Sequence, residues 1–336
     1  MAKKHVTIPI FVPHLGCPNT CAFCNQWQVS GAVSIPDKDF VQKQIDEYLK
    51  TISHDIDNLE VAFFGGSFTA IDLNYQRELL EAIKPYWTKL TGIRLSTRPD
   101  AISEEILNFL KDYHVTTIEL GAQSFDNEIL KNAHRGHSAE DIFKASTLIK
   151  KDGLNLVIQL MPGLPGDTEE TSLESGKKAL LCNPDAVRIY PTVVLKNTLL
   201  AQLYKNQQYM PLSMDDAVNR STDLYNLFSQ NHVAVIRMGL HPMTPDEQND
   251  IIGGPYHNSF GFLVKSRSKR RNLEKLFDQK KNLIPKFSSP ILIIPKTNSE
   301  EYIGMKKDNI TFLEEKYSLN TLKYEIQDII SPILKF

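Results

Sequence analysis

Along the first three quarters of the chain, short apolar runs alternate with longer stretches whose apolar residues recur every three or four positions. The runs are HVTIPIFVPH, LEVAFFGG, GIRLSTRP, TTIELGAQS, LNLVIQLMPG and AVRIYPTVV, and they read as strands. Between them lie DKDFVQKQIDEYLKTI, LNYQRELLEAIKPYW, SEEILNFLKDY, SAEDIFKASTLIKKDG and TEETSLESGKKALL, which carry the period of a helix buried on one side. Ser103 ahead of two glutamates marks one helix start, and Gly153 marks a helix stop. A sixth helix near 214–230 completes six strand-then-helix units, and HVAVIRMGLHP after it reads as a seventh strand.

Strands that are apolar almost throughout are covered on both faces. The expected class is therefore α/β, a parallel sheet with helices outside it. Chemistry in such sheets gathers at the C-terminal strand ends. There the polar and glycine-rich segments fall: GCPNTCAFC, GGSF, STRPD, GAQS, MPGLPG and YPT. That placement points to an enzyme.

Residues 196–213 read as a looser linker. Beyond residue 260 the pattern changes to a basic helix, KSRSKRRNLEKLF, the strand PILIIP, the segment SEEYIGMKKDNITFLEEKY and a last strand, LKYEI. The expected division is 1–260 as one unit and 261–336 as a small α/β extension. The net charge is only −2, yet residues 261–336 hold 15 Lys or Arg against 9 Asp or Glu. A basic segment on an acidic remainder suits a polyanion partner or a solvated helix face. No run of about 18 apolar residues occurs, so no transmembrane helix is expected. The opening MAKKHVTIPIFVPH is too short in apolar residues for a signal peptide. A cytoplasmic, reducing location is the expectation, with cysteines as thiols or metal ligands.

Three of the four cysteines, Cys17, Cys21 and Cys24, stand in C-x3-C-x2-C spacing directly after the first strand. A disulfide framework belongs to small secreted chains. A structural zinc site wants four ligands, and even with His14 this is not zinc-finger spacing. A C-x2-C redox pair leaves Cys17 idle. A four-iron cluster on three thiolates accounts for the count, suits soft sulfur, and leaves one iron open to a small ligand. Cys182 is expected to be a buried small hydrophobe.

The spacing, the strand before it and the GG turn after it resemble the radical S-adenosylmethionine (radical SAM) superfamily. In that superfamily SAM chelates the open iron of a [4Fe-4S] cluster, and one electron cleaves it to a 5′-deoxyadenosyl radical. The segments FVPHLGCPNTCAFCNQ, FFGGSFTAI, STRPDAI, LGAQSFDNEILKNAHRGHS, LMPGLPGDT, VRIYPTVVLKNT and GGPYHNSFGFLV are similar to the catalytic subunit of Elongator and its bacterial relatives. Those enzymes modify the wobble uridine of tRNA. The likeness covers roughly residues 5–265. The residues after it are too few for that family's acetyltransferase domain, so what the resemblance implies is the radical half of its chemistry on a partial (β/α)6 barrel.

The resemblance implies roles for individual residues. Cys17, Cys21 and Cys24 ligate the cluster. Phe23 lies near the adenine or packs in the core. Gly65, Gly66 and Ser67 let the backbone approach SAM, or simply turn the chain. Ser96 or Arg98 meets SAM or substrate, or Arg98 pairs with a carboxylate. Gln123 and Arg135 match residues that hold the SAM ribose and carboxylate in the related anaerobic coproporphyrinogen oxidases, and a guanidinium fork suits the second task. Gln159 occupies the place of a ribose-binding acid, and Tyr190 lines the adenine pocket or packs. His134, His137, His241 and His257 fall in family-like segments without a separable role.

At the basic end, SEEYIGMKKDNITFLEEKY resembles the core of a KH domain, whose GXXG loop clamps a nucleic-acid backbone. Gly304 is present, but Lys307 stands where the second glycine belongs. Lys306, Lys307, Arg270 and Arg271 are the candidate RNA contacts. The functional expectation is a radical SAM enzyme acting on a tRNA base, with a flavodoxin or ferredoxin as electron donor. The rival readings are a radical SAM enzyme for a small molecule, and a non-catalytic, metal-containing RNA-binding protein.

Overall fold

The structure, a computed structural model, describes residues 5–12, 15–17, 20–25, 35–52, 56–285 and 287–335. His14 lies outside them. Strands β1 (His5–Val12), β2 (Asn58–Gly65), β3 (Gly92–Thr97), β4 (Val115–Gln123), β5 (Asn155–Leu160), β6 (Ala186–Ile189), β7 (Val194–Leu195), β8 (Ala234–Met238) and β9 (Ile251–Gly253) lie in the larger part of the chain. All except β7 and β9 form one parallel sheet in the order β1-β2-β3-β4-β5-β6-β8. Helix α1 (Lys38–Thr51) follows β1, α2 (Leu73–Glu81) follows β2, and α3 (Glu104–Lys111) follows β3. Then come α4 (Asn127–Asn132) and α5 (Ala139–Lys151) after β4, α6 (Glu169–Leu181) after β5, and α7 (Leu199–Lys205) and α8 (Met214–Gln230) after β7.

Each strand of this sheet pairs with the one before it. Crossovers between parallel strands almost always share one hand, so consecutive crossovers in one direction leave the helices on one face. The sheet curls about its other face into a partial barrel, open between β1 and β8. Period two decides which residues go where. Ile8, Ile10, Val61, Phe63, Ile93, Leu95, Ile118, Leu120, Ile158 and Ile189 enter the core shared with Val41, Ile45, Leu79, Leu107, Leu110 and Ile142 of the helices. Pro9 sits in β1, an edge strand, where a missing N–H is tolerated.

The alternate positions carry charge. Glu60 of β2 and Glu119 of β4 are almost wholly buried and are bridged by Arg94 of β3. Arg94 Nε donates to Glu60 Oε1 at 2.8 Å, and its Nη1 donates to Glu119 Oε1 at 2.7 Å. Arg188 Nη2 reaches the same Glu119 oxygen at 2.8 Å. Buried carboxylates persist only when paired in this way.

The sequence pattern and the structure part company at a few places. The stretch LNYQRELLEAIKPYW is not one helix: α2 ends at Glu81, and a 3-10 segment, Lys84–Lys89, follows with Pro85 at its start. Proline has no N–H to continue an α-helix. AVRIYPTVV breaks after Ile189, and Val194–Leu195 pairs antiparallel with β9 instead. The stretch read as a linker holds α7, capped by the Thr198 hydroxyl, which accepts from Ala201 N–H at 3.1 Å.

After α9 (Pro245–Gln248), one long helix, α10 (Phe260–Gln279), spans the expected boundary at 260. Its Phe260 and Val264 belong to the first core. Its Leu273 and Phe277 belong to a second core with Leu292, Ile294, Ile310 and Leu313. The extension is β10 (Ile291–Pro295), α11 (Ser299–Ile303), α12 (Asp308–Lys316), β11 (Lys323–Gln327) and β12 (Ile333–Lys335), with β10 between a parallel β11 and an antiparallel β12.

Candidate active site

The thiol loop leaves β1 and is fastened on three sides. Gly66 N–H donates to Val12 O at 2.7 Å, and Ser67 N–H donates to Leu15 O at 3.0 Å. Ala22 N–H donates to Ala133 O at the end of α4, at 3.0 Å, and Leu200 N–H of α7 donates to Ala22 O at 2.7 Å. Two glycines permit the close passage. A Cβ on Gly16, whose φ is +71°, would lie 2.3 Å from Ser67 O, and one on Gly66 would lie 2.2 Å from Leu15 O. The GG turn thus serves first to let the thiol loop lie against β2.

Cys17, Cys21 and Cys24 line one cavity of about 300 Å³ at the C-terminal strand ends. Its wall includes Phe23, Gly65, Gly66, Ser67, Ser96, Gln123, Arg135 and Gln159, so all these residues singled out in the sequence meet there. Tyr190 is not part of that wall. Its hydroxyl accepts from Arg188 Nη1 at 3.1 Å, and burial pushes the phenol up. Phe23 lines the cavity and also packs against the buried clusters around Leu200 and Ile129.

Polar groups in the wall are held in place. Gln159 Nε2 donates to Gln123 Oε1 at 3.0 Å, and Gln123 holds a left-handed φ of +68° at the end of β4. Arg135 Nη1 donates to Cys21 Sγ at 3.0 Å and Nη2 donates to Gly121 O at 2.5 Å, while its Nε is buried without a partner among the described residues. Arg98 forks onto Asp100, with Nε and Nη2 each 2.9 Å from a carboxylate oxygen. The sequence reading missed Glu119, whose Oε2 lies 3.5 Å from Ser96 Oγ in the same wall. Only its pairing with Arg94 and Arg188 from other strands reveals it.

The residues fit an iron–sulfur cluster with SAM. No disulfide joins the cysteines. Among the described residues no three His, Cys, Asp or Glu side chains are arranged to hold a single metal ion. A four-iron cluster places each thiolate on a different iron, so its ligands need not converge on one point. Arg135, which donates to Cys21 and keeps an unpartnered Nε among the described residues, supplies the positive charge an anionic ligand requires.

The histidines divide. His257 Nδ1 accepts from Ser259 N–H at 3.0 Å, and burial pulls His241 down. His134 borders a second hollow outside the thiol loop with Thr20, Lys131 and His137. Burial, and then Arg135, push His137 down to about 4. Its folded value lies below its unfolded one, so the unfolded chain takes up the proton first and stability falls as pH drops from about 6.5 towards 4. Between pH 7 and pH 5 the loss from this residue should be about 2 kcal/mol. Urea denaturation at both pH values should show that difference in the parent and not in His137→Gln. An equal pH dependence in both would mean the imidazole is not buried neutral.

In the extension, Lys306 and Lys307 are exposed in the turn between α11 and α12, with left-handed φ values of +52° and +68°. Arg271 instead pairs with Asp223 of α8, and Arg270 lies 4.2 Å from the centre of the Phe312 ring.

Comparison with known proteins follows the same outline. The radical SAM superfamily model matches residues 11–177, and the radical SAM C-terminal domain matches residues 184–270. A tRNA uridine(34) acetyltransferase of Methanocaldococcus infernus is 34% identical over 195 residues, covering 51% of this chain and 36% of the relative. Human Elongator complex protein 3 is 29% identical over 194 residues, again 51% of this chain and 36% of the relative. The chain therefore spans little more than a third of these relatives. An N-terminally truncated archaeal Elp3 from M. infernus superposes with a TM-score of 0.64 at 24% identity, covering 81% of this chain and 64% of the other, which shows the shared fold. No described helix is long and apolar enough to cross a membrane.

Proposed function

The chain belongs to the radical SAM superfamily, and on that premise we propose that it is an enzyme that cleaves SAM reductively to modify a tRNA base of the wobble-uridine class. The meeting of Cys17, Cys21 and Cys24 with Arg98 and Arg135 in one cavity carries the reading. When bound, a [4Fe-4S] cluster supplies the electron that splits the SAM sulfonium and so generates a 5′-deoxyadenosyl radical. The three thiolates would hold that cluster, with Arg135, whose Nε is unpartnered among the described residues, the nearest cation for the SAM carboxylate. Ser96, Gln123 and Gln159 offer hydroxyl and amide groups to the rest of SAM, and Phe23 offers a ring face. The curled sheet keeps water from the reacting carbon. An electron must come from outside, from a small acidic redox protein such as a flavodoxin or ferredoxin.

The uridine substrate is supported by the relatives, whose names specify tRNA uridine(34) chemistry. The extension supports it from within the chain. Its helix–turn–helix between two parallel strands presents Lys306 and Lys307 as a KH domain presents its GXXG loop. Anaerobically reconstituted protein with SAM and dithionite should release more 5′-deoxyadenosine when tRNA is added. Filter binding over a salt series should give a steep slope, because counterions leave on association. Lys306→Ala and Lys307→Ala should each reduce that slope by about one unit. Arg270→Ala and Arg271→Ala should change it less, since those side chains are half-buried against Phe312 and Asp223, while Lys306 and Lys307 are exposed, Lys307 beside the Tyr324 ring. If all four variants bind tRNA like the parent, the extension is a structural cap and a small-molecule substrate is favoured.

A further inference from the structure

Arg98 is among the most buried charges in the chain, 2% exposed at the end of β3. Its fork with Asp100 uses the edge of the guanidinium formed by Nε and Nη2. The remaining nitrogen, Nη1, is buried and has no partner among the described residues. A buried donor without an acceptor bears its full desolvation cost. Asp100 does not spread that cost evenly, because its own side chain is 30% exposed while that of Arg98 is 3% exposed. Water screens the carboxylate more than the cation, so the pair leaves net positive potential on its buried side. Arg98 lines the cavity that Cys17, Cys21 and Cys24 share. Burial works against the charge of Arg98, but Asp100 and then the Cys21 and Cys17 thiols more than offset it, so the sulfurs lie within its field. Arg135 already donates to Cys21 on the other flank, and His137 nearby is held neutral.

Resting on the function proposed above, we infer that Arg98 is a positioning residue for the redox step: a fixed cation in the wall of the thiol cavity that stabilises the reduced cluster. Reduction adds one electron, and hence one negative charge, to the cluster. A buried cation beside it favours that state, and the Asp100 carboxylate sets how much of the cation is felt. The two halves of the ion pair therefore act in opposite directions on the potential. A partner of purely structural value gives no such opposition, since breaking the pair from either side disturbs the same loop.

The test is a dithionite titration of the anaerobically reconstituted full chain, without SAM, followed by electron paramagnetic resonance and iron content. Arg98→Gln should make reduction at least tenfold less favourable, a midpoint shift of 59 mV to more negative values for a one-electron couple. Asp100→Asn should shift the midpoint to more positive values. Should Arg98→Gln fail to take up iron, the double variant Arg98→Gln/Asp100→Asn carries the test, with a midpoint expected below that of Asp100→Asn. Unmoved midpoints, or shifts of the same sign in the two single variants, overturn the inference while leaving the functional reading intact. A parent chain that binds no cluster overturns both.

Discussion

Replacing Cys17, Cys21 or Cys24 by Ala should abolish SAM cleavage and sharply reduce iron binding, whereas Cys182→Ser should leave both intact. The parent should carry about four irons per chain. The three loop thiols bound one cavity, and Cys21 is already oriented by Arg135. With only three protein ligands, the loss of one leaves too few thiolates to hold four irons against exchange with water. Cys182 differs in every respect that matters. It caps α6 on the helix side of the sheet, burial pushes its thiol up, and it packs in the main core. Iron content and 5′-deoxyadenosine release, measured on the same preparations, separate the two groups. Full activity in Cys21→Ala would end the radical SAM reading.

Much of this site was legible because its parts are local. Three thiols within eight residues, a glycine pair at a strand end and STRPD after a strand are each visible in a short window. Asp100 stands two residues from Arg98, so the carboxylate partner of that arginine was within reach of the sequence. Glu119 was not. In TTIELGAQS it reads as a polar residue in a buried strand, and its partners Arg94 and Arg188 lie 25 and 69 residues away. Pairing across strands depends on register, which a single sequence states weakly. The same limit hid α7, whose Thr198 cap was present but whose apolar stretch is too short to show a period. The boundary near 260 rested on a change of composition, and composition does not show that α10 contributes to both cores.

The role of Gly66 was also only half visible, and it leads to the second large effect. Gly66→Ala should leave the protein folded but unable to keep its cluster. The φ of Gly66 lies outside the left-handed region, so alanine's own backbone preference is not the obstacle. The obstacle is contact with backbone that cannot give way. An added methyl would sit 2.2 Å from Leu15 O and 2.9 Å from Val12 O. Those carbonyls accept from Ser67 and Gly66 themselves, which ties the end of β1 to the end of β2. Leu15 cannot retreat independently, because Gly16 beside it passes just as close to Ser67 O. The loop must therefore shift as a unit, taking Cys17 with it and breaking the 3.5 Å contact between Cys17 Sγ and Ser67 Oγ. Overpacking of this kind costs about 1–3 kcal/mol. That is enough to displace a short loop without unfolding a core of this size. Gly261→Ala is the control. It lies in α10, where a Cβ meets nothing closer than 3.6 Å, and the change should add up to about 1 kcal/mol of helix stability. Melting temperature and iron retained after gel filtration should be measured for both. Gly66→Ala should melt near the parent yet lose several-fold more iron, and Gly261→Ala should retain iron like the parent. Equal iron in all three would mean that the thiol loop tolerates displacement, and that the close backbone approach is not what presents Cys17.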